Sequence, residues 1–201
     1  MSSALGRPLI LASSHDVELA ALAAAGDRAA FGELVRRHGL PVRGLLRRLG
    51  ADPGSADRIA QDAFLAAFEQ IAEFRGEGPF QAWVRRIAAR LYVKRCGKDV
   101  RADLMAPTPE RPGGTGPPGL DDEGPATDRV DLDLALDDLS RIERLCVGLC
   151  YGAGLSHAEA AQALNAPSAV VKSHVKHGLD KLRSRLTANG RGGRPEGEGH
   201  G

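Results

Sequence analysis

Residues 154–176 read GLSHAEAAQALNAPSAVVKSHVK, and this stretch decides the fold. Ser156 and Glu159 stand three apart before an apolar run, the spacing at which each side chain satisfies an orphan backbone N–H of a starting helix. Ala160, Ala161 and Leu164 give that helix a small apolar inner face, which permits a close helix crossing. Asn165-Ala166-Pro167 ends it, because Asn tolerates the left-handed conformation and Pro disfavours helix at the preceding residue. Ser168 is placed to cap a second helix, whose Val171, Val175, Leu179 and Leu182 recur at three- and four-residue steps. Two short helices about a three- or four-residue turn form a helix-turn-helix.

Such a hairpin binds DNA when the outer face of its second helix is polar and basic. Here that face carries Ser168, Ala169, Lys172, Ser173, Lys176 and His177, followed by Lys181, Arg183 and Arg185. Residues at the helix start enter the major groove, while Lys and Arg farther along neutralise phosphates. The alternative for this stretch alone is an ordinary helical hairpin with a solvated charged face.

Moving towards the N-terminus, the hairpin belongs to a helical unit that begins near Asp131. Before it, residues 103–128 place Pro107, Pro109, Pro112, Pro117, Pro118 and Pro125 among Gly and Asp with few apolar residues, the composition of a flexible, partly extended linker. Asp121, Asp122, Glu123, Asp128, Asp131, Asp133, Asp137 and Asp138 make the linker and the start of the second unit anionic.

A first helical unit precedes the linker. Asp16 is a plausible N-cap for a helix stopped by Gly26, and Asp27 caps the next, in which Phe31, Leu34, Val35 and His38 share a face. Val42, Leu45, Leu46 and Leu49 continue that period beyond Gly39-Leu40-Pro41. Ser55 is expected to cap a helix to about Phe74, with Ile59, Ala63, Phe64, Ala67, Phe68 and Ile71 on one face. After the loop Arg75–Pro79, a fourth helix is expected to bury Phe80, Trp83, Val84, Ile87, Ala88 and Leu91. These stripes have only one another to pack against, so they form a bundle. The back of the fourth helix carries Arg85, Arg86, Arg90, Lys94 and Arg95, a one-sign stripe suited to a phosphate backbone. Phe74, Phe80 and Tyr92 lie nearby as rings able to stack on unpaired bases, with core packing the better reading for Phe80 and Trp83.

The whole composition agrees with an all-α protein of two small domains: 201 residues, 4% aromatic, rich in Ala, Leu and Arg. The divisions expected are a disordered tail at 1–15, a bundle at 16–101, a flexible acidic linker at 102–129, a helix-turn-helix domain at 130–187 and a second disordered tail at 188–201. The net charge of +1 says nothing of a polyanionic partner, so the argument rests on how the charge is distributed. Three cysteines without framework spacing point to a reducing cytosol. Leu9-Ile10-Leu11 is too short for the apolar region of a signal peptide, and no run has the roughly 20 apolar residues of a membrane span. The reading is therefore a cytoplasmic protein without membrane insertion. Phosphate-binding GxxxxGK[ST], HExxH, paired CxxC and GxSxG motifs are all lacking, which argues against an enzyme. Cys146 and Cys150, with His157, suggest a redox or zinc switch. Falling among Leu139, Ile142, Leu145 and Leu149, they read better as small buried hydrophobes.

Four segments resemble the extracytoplasmic-function (ECF) class of bacterial sigma-70-type RNA polymerase sigma factors. GDRAAF at 26–31 is similar to that family's GDxxAF opening, and ADRIAQDAFL at 56–65 to its AEDLVQETFL helix. FRGEGPFQAWVRRIA at 74–88 resembles the FRGEGxFxxWLxRIA signature, and residues 154–183 resemble GLSxxEIAxxLG…TVKSRLxRAxxxLR. The resemblance implies a four-helix region 2 and a helix-turn-helix region 4. Region 2 would bind core polymerase (the beta and beta-prime subunits) through the side of its helix that bears Asp57, Gln61 and Asp62. Arg75, Arg85, Arg86, Arg90 and Lys94 would hold the melted minus-ten element of promoter DNA, with a base flipped into a pocket near the Arg75–Pro79 loop. Region 4 would read the minus-thirty-five element through Ser168, Ala169, Lys172, Ser173, Lys176 and His177, and the linker would thread through polymerase. No cofactor or metal is implied, because binding of the unpaired strand supplies the free energy of melting. An anti-sigma factor is implied as a partner, with the free chain a monomer. Arg58 stands where the family has an acid, His174 and His177 where it has arginines, and Val170 where it has Thr. These departures point to an altered core contact and to upstream binding that is weaker, pH-sensitive or retuned. Two other readings remain: a stand-alone helix-turn-helix regulator, and a sigma-like decoy that binds only a regulatory protein.

Overall fold

The computed structural model describes residues 11–105 and 135–191. Most of the expected linker and both chain ends lie outside the described residues, as do Asp121, Asp122, Glu123, Asp128, Asp131 and Asp133 of the acidic run. In chain order the helices are α1 (Asp16–Ala24), α2 (Arg28–Arg48), α3 (Pro53–Glu69), α4 (Phe80–Met105), α5 (Arg141–Val147), α6 (His157–Leu164) and α7 (Ser168–Arg191). A 3-10 turn, Ile71–Glu73, follows α3, and a π-helical turn, Gly148–Gly152, follows α5. No strand occurs among the described residues.

Local chemistry sets most boundaries. Gly26 takes φ +97 and ends α1, where Asp27 N–H donates back to Leu22 O at 2.9 Å. The Asp27 carboxylate then accepts from Ala29 and Ala30 N–H at the start of α2. Pro41 sits inside α2, which runs through it as one helix rather than pausing at Gly39-Leu40-Pro41. The cap of α3 is Asp52, which accepts from Ser55 N–H at 3.0 Å, and not Ser55 itself. Pro53 follows at the first helical position, where its missing N–H costs nothing. That helix stops at Glu69, short of the expected Phe74.

The first bundle is held by Leu19, Leu34, Leu46, Ile59, Ala63, Phe80, Val84 and Ala88, all buried. Phe80 packs edge-on to Phe74 at 5.4 Å and tilted on Trp83 at 5.6 Å, so the core reading of Phe80 holds while Trp83 is only half-buried. Residues 11–15, expected to be part of a loose tail, are tied down instead. Arg37 donates to Leu11 O, Ala12 O and Ser14 O and to the Asp16 carboxylate, while its own helix supplies Glu33. Hydrogen bonds from Arg36 and Arg37 hold the Glu33 carboxyl down at about 2. The α1 cap is His15 rather than Asp16, with the Glu18 carboxylate accepting from His15 N–H. At the other end of the bundle α4 continues to Met105, beyond the expected start of the linker at 102.

The second unit packs α5, α6 and α7 about Leu139, Ile142, Leu145, Leu149, Leu164, Val171 and Val175. Its close approach is made by Gly178: a Cβ there would lie 2.8 Å from Val147 Cγ2 and 3.6 Å from Glu143 O. One buried cluster runs without a break from the first bundle into this unit.

Candidate nucleic-acid interface

Two basic faces emerge, and each is narrower than the sequence suggests. On α4, Val84, Ala88, Ala89, Tyr92 and Val93 are buried, whereas Arg86, Arg90, Lys94 and Arg95 are exposed and Arg85 is half-buried. Ile87 and Leu91, expected in the core, are also half-buried. The inward face is turned from the expected one because α4 packs not only on α2 and α3 but also on α5 and α6. Arg95 is engaged by Asp62, and Arg90 Nη2 lies 3.3 Å from Glu159 Oε1 of α6. Tyr92 is not a stacking platform. Its ring is 3% exposed, its hydroxyl donates to Leu49 O at 3.0 Å, and burial pushes its pKa well up.

Arg75 is exposed on the loop between α3 and α4. That loop turns at Gly76, whose φ of +71 is a left-handed conformation that favours glycine. Beside it, Ala12–Val17, Arg37, Gly78, Pro79 and Phe80 line a cavity of about 530 Å³. Its far wall is the segment that Arg37 fixes, a wall that is not legible in the sequence, where Arg37 reads simply as a charged residue of α2.

The helix-turn-helix forms as its caps dictate. Ser156 Oγ accepts from Glu159 N–H at 3.2 Å and Glu159 Oε2 from Ser156 N–H at 2.9 Å. Asn165 takes φ 49, ψ 49 at the end of α6. Helix α7 starts at Ser168, which is its first residue rather than its cap. Ala169, Lys172, Ser173, Lys176 and His177 are exposed on one face, with Ser168 half-buried beside them. His174 leaves that face. It is half-buried towards α5, and desolvation pulls its pKa below 6.5, Glu143 opposing and His177 assisting. The basic residues farther along are spoken for. Lys181 donates to the buried Glu143 at 2.9 Å, Arg183 meets Asp180 at 3.3 Å, and Arg185 meets Asp138 at 3.3 Å. For Glu143, burial raises the pKa, but the contacts from Lys181 and Ser140 outweigh it and the net shift is downward.

The three residues expected to contact polymerase divide. Asp57 and Gln61 are exposed and line a groove of about 780 Å³ between α2 and α3, with Phe31, Val35, Phe64, Leu65 and Phe68 as its floor and Arg28 and Arg43 on its rim. Leu65 is 64% exposed there. Asp62 turns the other way, to Arg95. Sequence periodicity assigned the groove's aromatic residues to the core and passed over Leu65, whose exposure follows from its place on the outer side of α3.

Cys146 is fully buried and burial lifts its thiol to about 12; Cys150 is half-buried and is raised for the same reason. Thiols held in the neutral form this way are poor nucleophiles and metal ligands. No cluster of three or more metal-ligating side chains occurs among the described residues, and no described helix is long and apolar enough to cross a membrane.

Comparison with known proteins gives two family matches: sigma-70 region 2 over residues 34–101 and sigma-70 region 4 over residues 135–184. The RNA polymerase sigma factor NccH of Alcaligenes xylosoxydans is 31% identical over 88% of this chain and 97% of its own length. CnrH of Cupriavidus metallidurans, also an RNA polymerase sigma factor, is 30% identical over 85% of this chain and 94% of its own length. The ECF RNA polymerase sigma factor SigE of Mycolicibacterium smegmatis is 30% identical over 81% of this chain and 65% of its own length. Among solved structures, CnrH in complex with the cytosolic domain of CnrY aligns at a TM-score of 0.47, with 28% identity over 86% of this chain and 97% of that one.

Proposed function

The chain belongs to the ECF class of sigma-70-type RNA polymerase sigma factors, and from that membership we propose a division of labour among its surfaces. Core polymerase docks in the α2–α3 groove, with Leu65 entering the interface and Asp57 and Gln61 fixing its register. The exposed arginines and lysine of α4 take the backbone of the melted minus-ten strand, and Arg75 stands on the loop whose Gly78 and Pro79 line the cavity into which a base turns. The start of α7 enters the major groove of the minus-thirty-five element, with Lys172 and Lys176 on phosphate or base edges.

The observation that carries this reading is the α2–α3 groove, an exposed apolar surface with a charged rim on the domain that also bears a basic stripe. A stand-alone DNA-binding regulator leaves that groove without purpose. Melting draws on the free energy of strand binding, so the chain itself performs no bond chemistry, and it works where polymerase is, in the cytoplasm. An anti-sigma protein belongs to the same reading through the family likeness.

The groove assignment is tested by Leu65→Asp. Position 65 is solvent-facing in the free chain, so the variant should fold and melt like the parent. It should nevertheless lose co-elution with core polymerase, because a carboxylate would be buried without a partner. Unimpaired co-elution would remove the groove from the account.

A further inference from the structure

The cavity beside the loop between α3 and α4 differs in chemistry from the two basic faces. One side is the loop, with Gly78, Pro79 and Phe80; the other is the segment Ala12–Val17 together with Arg37. The two sides meet at Gly76, where a Cβ would lie 3.3 Å from Val17 Cγ1. At about 530 Å³ the space is of the size that small ligands occupy.

Arg37 is the cation of this wall, yet it has no donor left for a ligand. A guanidinium carries five N–H groups, and five acceptors take them here. Nε donates to Glu33, Nη1 to Ser14 O and Asp16 Oδ1, and Nη2 to Leu11 O and Ala12 O.

Asp16 is the opposite case. Its Oδ1 accepts from Arg37 at 3.0 Å and its Oδ2 meets His38 Nε2 at 2.7 Å, which leaves each oxygen a further lone pair. Its side chain is 28% exposed and lines the cavity. This wall therefore offers acceptors and withholds donors, an arrangement that repels phosphate and suits a neutral group presenting N–H. Adenine and cytosine carry an exocyclic amine, whereas guanine and thymine place a carbonyl oxygen at the corresponding position. Turned the same way, those two would set acceptor against acceptor.

We propose that Asp16 is a specificity-determining residue of this cavity, accepting the exocyclic amine of one flipped adenine or cytosine of the minus-ten element. Arg37 is a positioning residue: it ties down the segment from Leu11 to Asp16 and touches no part of the DNA. The proposal rests on the promoter-binding function above and names the class of base that the cavity selects. Neither residue belongs to the basic stripe of α4, so base choice and strand holding fall to different elements of the bundle.

The test uses holoenzyme assembled from core polymerase and the full chain, with a promoter selected from a library. It binds fork-junction DNA whose minus-ten strand is unpaired. Each adenine or cytosine of that strand is replaced in turn by purine or pyrimidinone, which lack the amine. With the parent chain, replacement at one position should weaken binding about tenfold, the scale of a hydrogen bond to a charged acceptor. In Asp16→Ala the same replacement should cost less than about twofold, because the acceptor is gone. Arg37→Gln should shrink the penalty as well, while the salt dependence of binding stays that of the parent because no phosphate contact is lost. A purely structural role for Arg37 would weaken every probe equally and leave the amine penalty whole. Should Asp16→Ala fail to fold by circular dichroism, Asp16→Asn takes its place. It keeps an oxygen for Arg37, adds an amide donor, and should accept thymine at the sensitive position. No amine penalty at any position in the parent would overturn the inference without recourse to a variant. So would a full penalty in Asp16→Ala, or unchanged discrimination against thymine in Asp16→Asn. A parent holoenzyme that selects no promoter would instead count against the proposed function.

Discussion

Tyr92 and Arg90 sit two positions apart on α4 and should respond to mutation in opposite ways. Tyr92→Phe removes a buried donor from Leu49 O and should lower stability by about 1–3 kcal/mol in urea unfolding, with binding to minus-ten DNA unchanged in the assembled holoenzyme. Arg86→Ala with Arg90→Ala removes two exposed cations and should leave stability within about 0.5 kcal/mol. It should flatten the salt dependence of open-complex formation by about 1.4 in log–log slope, about 0.7 for each single-strand phosphate contact. A loss of open complexes in Tyr92→Phe equal to that in the arginine pair would return the ring to the DNA interface. His174 gives a pH signature. Its folded pKa lies below 6.5 because the ring is partly desolvated, so the unfolded chain binds the proton more tightly. The stability due to this group is fully present above pH 6.5 and is lost as pH falls through the lower folded value. Unfolding midpoints measured from pH 7.5 to 5.5 should therefore fall more steeply for the parent than for His174→Gln. Parallel curves would show that His174 titrates freely on the surface.

At the scale of elements, the hairpin of α6 and α7 was legible because local chemistry fixes it: the Ser156–Glu159 box, the left-handed Asn165 and the small Ala160 and Ala161 each dictate backbone without help from distant residues. The inward side of α4 was not. Sequence period gives a helix one face against one neighbour, whereas α4 is packed by α2 and α3 from one direction and α5 and α6 from another, which buries Tyr92 and Ala89 and leaves Trp83 half-exposed. Lys181 shows the same limit, since nothing local announces that it will pair with the buried Glu143, 38 residues earlier. Nor does the period of α7 explain Gly178, whose reason lies in α5. Gly178→Val places methyl groups where Val147 already stands 2.8 Å from the new Cβ. Overpacking of this kind should cost about 1–3 kcal/mol, outweighing the few tenths gained in helix propensity. The urea midpoint measures it, and an unchanged or higher midpoint would mean that α5 and α7 do not cross as closely as described.

Taken whole, the chain carries three surfaces on two helical units: a groove between α2 and α3, a basic face on α4 and a second basic face on α7. In the division of labour proposed above none suffices alone, because a duplex-binding helix without a strand-holding one would not melt DNA, and neither would initiate without the polymerase assigned to the groove. That interdependence is tested most directly by run-off transcription with purified core polymerase across a library of promoter sequences, with and without the chain. The account predicts transcripts only when the chain is added, from templates sharing two short elements at fixed spacing, and loss of the upstream preference in Lys172→Ala with a cost of about 1–3 kcal/mol if that lysine reads a base. Transcription that is equally strong without the chain, or that shows no common elements among the active templates, would contradict it.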